Sequence, residues 1–289
     1  MGWHRGQFVQ ALQHCDAGLA LYDEERYAHH RYIYFGHDPA VCALALGAQA
    51  QWALGYPARA MHRHDEAVTL GRKLRYAPSL AHSLFIYAVS QTAGGDAAAV
   101  LATATELREL SDRHGFSQFD ACALMFLGWA LARSGETERG ISQMRDGFGI
   151  LRQQGAMMTL AHWLMADAHL MAHHYREGLE LAQPLDFADT GDQSWLARLH
   201  HLRAELLLHL NSSDDEAVEA SLRQAIAVAQ RQEAKGWELP PATRLARLWA
   251  DRGRRIEARE LLAPIYGWFT EGFDTRDLRE AKALLDALS

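Results

Sequence analysis

Short turns recur along this chain at a nearly constant interval, and that regularity limits the fold more than any other feature. They start at Gly55, Gly95, Gly135, His173, Asn211 and Gly253, a period of about forty residues. Seven positions before each start stands a small residue: Ala48, Ala88, Gly128, Ala166, Ala204 and Ala246. Five positions after it another small residue usually follows, at Ala60, Gly140, Gly178 and Ala258, with Val100 as the imperfect copy. The turn at Asn211 fits if four extra residues precede Ala220-Ser221-Leu222. Self-similarity at such a period marks stacked units that cannot bury their apolar faces alone. A small residue on each side of a turn lets two helices cross closely, so each unit is predicted to be a helical hairpin.

The rest of the composition agrees. All seven prolines fit in loops, first turns or one late kink, and the intervals between them are rich in Ala, Leu, Arg, Glu and Gln. No segment alternates apolar and polar residues long enough for a strand, so no sheet is expected. The fold class predicted is all-α.

The small residue in the first helix, the turn and the small residue in the second helix resemble the tetratricopeptide repeat. That resemblance implies a right-handed superhelical solenoid whose first helices line a concave surface. The predicted units are a half repeat over 1–35 and repeats at about 38–75, 78–115, 118–155, 157–189, 194–236 and 239–271, closed by a capping helix over 274–288. The half repeat carries a turn and second helix from Gly6 onward but no first helix. An unpaired hairpin helix leaves an apolar face, including Phe8, Leu12 and Leu19, open for pairing. The chain is accordingly expected to be a fragment of a longer protein, with a natural cap over 5–22 as the alternative.

Near the other end, the segment from Leu261-Leu-Ala-Pro-Ile-Tyr-Gly-Trp-Phe through Arg279-Glu-Ala-Lys-Ala-Leu-Leu285 is similar to the closing segment of a family of large bacterial regulatory proteins. Tyr34-Phe-Gly-His-Asp-Pro39, Trp52-Ala-Leu-Gly-Tyr-Pro57 and Arg231-Gln-Glu-Ala-Lys235 resemble that family too. Such proteins join a class III cyclase or a DNA-binding regulator domain to a signal-transduction ATPase and a carboxy-terminal tetratricopeptide-like solenoid. The resemblance implies the ATPase and catalytic domains of a parent chain as partners. This sequence itself has no Gly-x-x-x-x-Gly-Lys-Ser/Thr phosphate loop and no paired cyclase aspartates.

Catalysis is not expected. With 29 basic against 36 acidic residues and a formal charge of −7, the chain lacks the excess of a general nucleic-acid binder. Its longest apolar run, over 41–54, is broken by Gln49 and Gln51 and is too short to span a membrane. Three separated cysteines and no leader-like start suggest reduced thiols and a cytoplasmic setting. The 16 histidines include close pairs, but no His-Glu-x-x-His or Cys-x-x-Cys spacing accompanies them, so neither metal nor cofactor is expected. Cys42 and Cys122 lack the histidine and carboxylate neighbours of a nucleophile in any recognisable arrangement.

Function is therefore sought on the inner surface. Counting back from each turn, the inward positions give Gln49 and Trp52; His82 and Phe85; Met125, Trp129 and Arg133; Trp163, Asp167 and Met171; Arg198, His201 and Glu205; then Arg247. Aromatic and methionine side chains dominate the middle and polar ones follow. That profile suits a peptide, a protein segment or an amphipathic small effector. The alternative is a scaffold, with no ligand in its groove, that pairs with another repeat of its own chain or with a second copy through the open amino-terminal edge. Trp52, Trp129 and Trp163 serve equally well as packing between neighbouring repeats.

Overall fold

A computed structural model describes residues 2–33, 36–155, 158–183, 192–210 and 215–289. Every regular element among them is helical. After α1 (Phe8–Ala20), the short α2 (Glu24–Tyr27) and a 3-10 turn (Ala28–Tyr32) come six pairs of helices. These are α3 (Pro39–Leu54) with α4 (Pro57–Lys73), α5 (Ala77–Gly94) with α6 (Ala97–His114), and α7 (Ser117–Arg133) with α8 (Thr137–Gln154). The later pairs are α9 (Met158–Met171) with α10 (Tyr175–Leu181), α11 (Leu196–Leu210) with α12 (Asp215–Arg231), and α13 (Lys235–Asp251) with α14 (Arg255–Tyr266). Helix α15 (Arg276–Ala287) closes the series.

Local chemistry sets the boundaries. Asp38 caps α3 by accepting the N–H groups of Ala40 and Val41, and Pro39 follows at the first helical position. The turn starts Gly55, Gly95, Gly135 and Gly253 all take left-handed backbone, and His173 takes it with a side chain at φ 60°. The fourth residue of each second helix is Ala60, Val100, Gly140, Gly178, Val218 and Ala258, and every one is buried. In the fifth pair this place falls to Val218, whereas Ala220 is exposed, so the insertion expected there is shorter than predicted. The Asn211 turn itself lies outside the described residues.

The six small residues of the first helices are all buried. At Gly128 a Cβ would strike Met144 and come within 2.5 Å of the Gly140 carbonyl, so α7 and α8 touch nearly backbone to backbone. Helices α3, α5, α7, α9, α11 and α13 each pack against the next in that order, forming an inner row. Helices α3, α5, α7 and α9 are apolar nearly all round, whereas α11 and α13 carry arginine, histidine and glutamate on one side, and the partner helices present a polar face to water. One boundary departs from expectation: α13 begins at Lys235 rather than about 239, which puts Pro240 and Pro241 inside the helix. Their missing N–H groups leave the carbonyls of Gly236 and Trp237 without helical partners.

The two ends of the row meet. Gly236 of α13 sits against the last turn of α3, where a Cβ would approach the Trp52 carbonyl at 2.5 Å and the Ala53 carbonyl at 3.0 Å. Gly55 (φ 101°) faces Trp268 and Phe269, and Gly272 (φ 73°) faces Pro57. Arg59 pairs with Glu271 at 2.9 Å and its N–H donates to the same carboxylate, while the Tyr56 and Trp268 rings lie 5.3 Å apart. The amino-terminal edge, expected to be open, is also partly covered. Phe8 is fully buried against Trp3, α1 packs on α3, the His4 carbonyl accepts the Gln193 N–H, and Gly6 lies under the Gln232 side chain. Leu12 and Leu19 stay half-exposed. Among the described residues, no helix is long and apolar enough to cross a membrane.

Candidate functional site

Because the row of first helices bends back on itself, their inner faces surround a hollow, and it is divided. The polar part, about 430 Å³, takes Trp129 and Arg133 from α7, Trp163 and Asp167 from α9, Arg198, His201 and Glu205 from α11, and Arg247 from α13. Eight of the fourteen inward residues expected from the repeat register thus converge on one cavity. Gln49, His82 and Phe85 line a separate apolar cavity of about 570 Å³. Trp52 stands at the junction of the two chain ends, over Gly94. Met125, expected in the groove, is core: it is 1% exposed and packs toward Gly147 of α8. Met171 lines neither cavity and instead accepts an Arg133 N–H on its sulfur at 3.9 Å.

Trp129 and Trp163 form walls rather than free platforms, at 1% and 5% exposure. The indole N–H of Trp129 donates to Asp167 Oδ2 at 2.8 Å, which is how a buried tryptophan satisfies its polar end. Burial raises the Asp167 pKa above the usual carboxylate range, with the Trp129 bond, Arg133 and Arg198 pulling it down.

Arg198 occupies the centre. Its guanidinium lies over Trp163 at 5.0 Å, Trp237 at 5.1 Å and Trp195 at 5.9 Å. Across the hollow it donates to the Ala93 carbonyl at 3.4 Å, and its Nε is buried with no partner. Burial lowers its pKa, opposed by Asp277 and Asp167. Beside it, burial pushes the Glu205 carboxyl up, but bonds from His201 (3.3 Å) and the ion pair with Arg244 (2.8 Å) prevail and hold it below the usual range.

Arg133 and Arg247 make no ion pair among the described residues, and Arg133 stacks over Trp129 at 5.6 Å. Among the described residues Arg198 likewise makes no ion pair, so the cavity presents three arginines, Arg133, Arg198 and Arg247, without a paired carboxylate, although Asp167, Glu205, Asp277 and Glu280 line the same space.

Sequence reasoning missed the residues that come from the end of the chain. Arg276, Asp277 and Glu280 of α15 enter the polar cavity, with Arg244 and Pro240 of α13. Arg276 pairs with Glu280 at 2.8 Å, and burial raises the Asp277 pKa against the pull of Arg198, His201 and Arg276. The sequence placed α15 only as a capping helix over 274–288, close to the observed Arg276–Ala287, and no repeat register assigned its side chains to the hollow.

No protein-family model matches the chain. It is similar to an uncharacterized protein of Rhizobium meliloti, 31% identical over 220 residues. The match covers 75% of this chain and 21% of that protein, so the chain spans about a fifth of the length of the relative it matches.

Proposed function

We propose that this chain is a noncatalytic regulatory module: a right-handed superhelical solenoid of tetratricopeptide-like hairpins that holds an acidic peptide segment or a small anionic effector in its polar cavity. The observation that carries this reading is the convergence of Arg133, Arg198 and Arg247 on one partly enclosed hollow of about 430 Å³. In such a place a carboxylate or phosphate is recognised by charge-assisted hydrogen bonds that bulk water would weaken. The tryptophan walls supply apolar area for the rest of the ligand. Occupancy then biases attached ATPase or cyclase domains, in keeping with the resemblance of the closing segment to such regulators. A match that makes up only 21% of a longer relative supports a module working beside other domains.

The test is direct. Protein purified under native conditions is analysed by native mass spectrometry and its released small molecules are identified. Arg133→Ala and Arg247→Ala, both at partly or fully exposed positions, are expected to weaken binding of the identified anion by about tenfold or more each, with helix content unchanged. Unchanged affinity in both variants rejects the cavity as the binding site.

A second reading has its own observation. Arg276, Asp277 and Glu280 of α15 already reach into the cavity, and the chain ends are joined through Arg59 and Glu271. This favours a self-contained scaffold in which α15 is the occupant. Deleting the charge with Asp277→Asn then changes stability and leaves anion binding absent.

A further inference from the structure

The apolar cavity holds a set of donors that linear spacing did not reveal. Thirteen residues before the turn starts Gly55 and Gly95 stand Cys42 and His82, forty residues apart and on α3 and α5, which pack side by side in the inner row. His37, in the connection just before the cap of α3, lies over them. Its ring is parallel to that of His82, with centroids 4.1 Å apart and 7° between planes. One ligand atom from each of His37, Cys42 and His82 lies within 4.8 Å of the others. His82 Nε2 is buried and has no hydrogen-bond partner, an arrangement that costs free energy unless something fills it. All three residues line the cavity of about 570 Å³.

We propose that His37, Cys42 and His82 bind one zinc ion, with the fourth coordination position open to the apolar cavity. Two imidazole nitrogens and one thiolate are the donors that a borderline-soft, tetrahedral ion takes. Bonds of about 2.0–2.3 Å place tetrahedral donors roughly 3.3–3.6 Å apart, and because imidazole lone pairs lie in the ring planes, binding also turns the His37 ring out of its parallel stack on His82. Binding breaks the Cys42 S–H bond, forms a zinc–thiolate bond and releases one proton to solvent; the imidazoles enter neutral and lend lone pairs. Three protein ligands and a vacant position are the pattern of zinc sites that keep a place for water or an exogenous donor. Here that place faces Phe85, Ile86, Val89 and Leu160, so a ligand with one nitrogen or sulfur donor and an apolar body fits it. The earlier expectation of no metal rested on spacing along the chain, and the repeat brings together residues one period apart instead.

The full chain, stripped with a chelator under reducing conditions, is titrated with cobalt(II) and then zinc(II). The expected result is one cobalt per chain with a thiolate-to-cobalt charge-transfer band, bleached by one equivalent of zinc, and one proton released per ion. Cys42→Ser abolishes the band, and His82→Ala, or His82→Gln where the alanine variant fails to fold by circular dichroism, weakens binding by about tenfold or more. Cys15→Ser leaves both unchanged. Absence of the band in the wild type, binding without it through exposed histidines, or its survival in Cys42→Ser each overturns the site.

Discussion

Three glycines of α8 show how differently one residue type is used. A Cβ on Gly140 would run into the Gly128 carbonyl, and one on Gly147 would lie 2.5 Å from the Ala121 carbonyl, but one on Gly149 meets nothing within 4 Å. Gly140→Ala is therefore expected to cost about 1–3 kcal/mol through overpacking against backbone. Gly149→Ala is expected to add about 0.5–1 kcal/mol, because a helical glycine pays excess backbone entropy. Urea midpoints of the two variants check both signs. Buried histidines give the protein an acid sensitivity. His64 is buried with Nε2 2.8 Å from Ser90 Oγ, and burial, then Arg63, pushes its pKa down to about 3. Burial, followed by Arg203 and Arg231, takes His200 to about 4. Between the ordinary histidine pKa near 6.5 and those values the unfolded chain binds the extra protons, so stability falls as the pH is lowered through this window. The slope approaches about 1.4 kcal/mol per pH unit for each histidine. His64→Gln, which keeps a donor to Ser90, is expected to flatten a plot of unfolding free energy against pH from 7 to 4. At this scale the sequence was informative where an inward position keeps its contact with the hollow, as at Arg133, Asp167 and Arg247. It misled at Met125, since spacing alone cannot tell a side chain facing the hollow from one facing the next helix.

The hairpin pairs were legible because their crossing points demand a small residue and their turns a left-handed backbone, and both demands leave a mark in the sequence. Boundaries without such a demand were not. The start of α13 was hidden by Pro240-Pro241, which read naturally as a first turn, whereas the capping helix expected over 274–288 appears as α15 at Arg276–Ala287. The beginning of α3 carries an additional role that the pattern did not expose. Asp38, fully buried, caps the helix with one oxygen and accepts the Tyr22 hydroxyl at 3.1 Å with the other, while its own N–H donates to Ser79 on α5 at 2.8 Å. One residue thus joins the segment after α1, the first inner helix and the second. Asp38→Ala is expected to cost about 1–2 kcal/mol for the cap alone. Asp38→Asn, which keeps an oxygen toward Ala40, is expected to recover most of that loss. Denaturant unfolding of both variants measures the difference, and equal losses would mean that the charge near Arg31 matters more than the cap.

Over the whole molecule, the junction between α3 and α13 joins the two ends of the inner row. It is built from glycines at which the opposing chain end takes the place of a side chain, reinforced by one ion pair and a tilted ring contact. Gly236→Val is expected to push α13 off the Trp52 and Ala53 carbonyls and open the junction. Small-angle scattering would then report a larger radius of gyration, while far-ultraviolet circular dichroism stays near wild type. An unchanged radius would show that the inner row keeps its bend without the junction. None of this was legible beforehand, because the contact joins residues about 180 to 210 positions apart and no periodicity runs across it.

The junction also bears on how such a chain can change in length. An array of tandem units whose two ends never meet gains or loses a unit with little penalty, since each unit touches only its neighbours. Here, duplicating or deleting one hairpin would carry Gly236 and Glu271 away from Trp52 and Arg59, leaving both faces bare. The number of pairs between the two faces is thus tied to their meeting, and inserting one hairpin between α8 and α9 is expected to lower the thermal midpoint more than lengthening a surface loop there does.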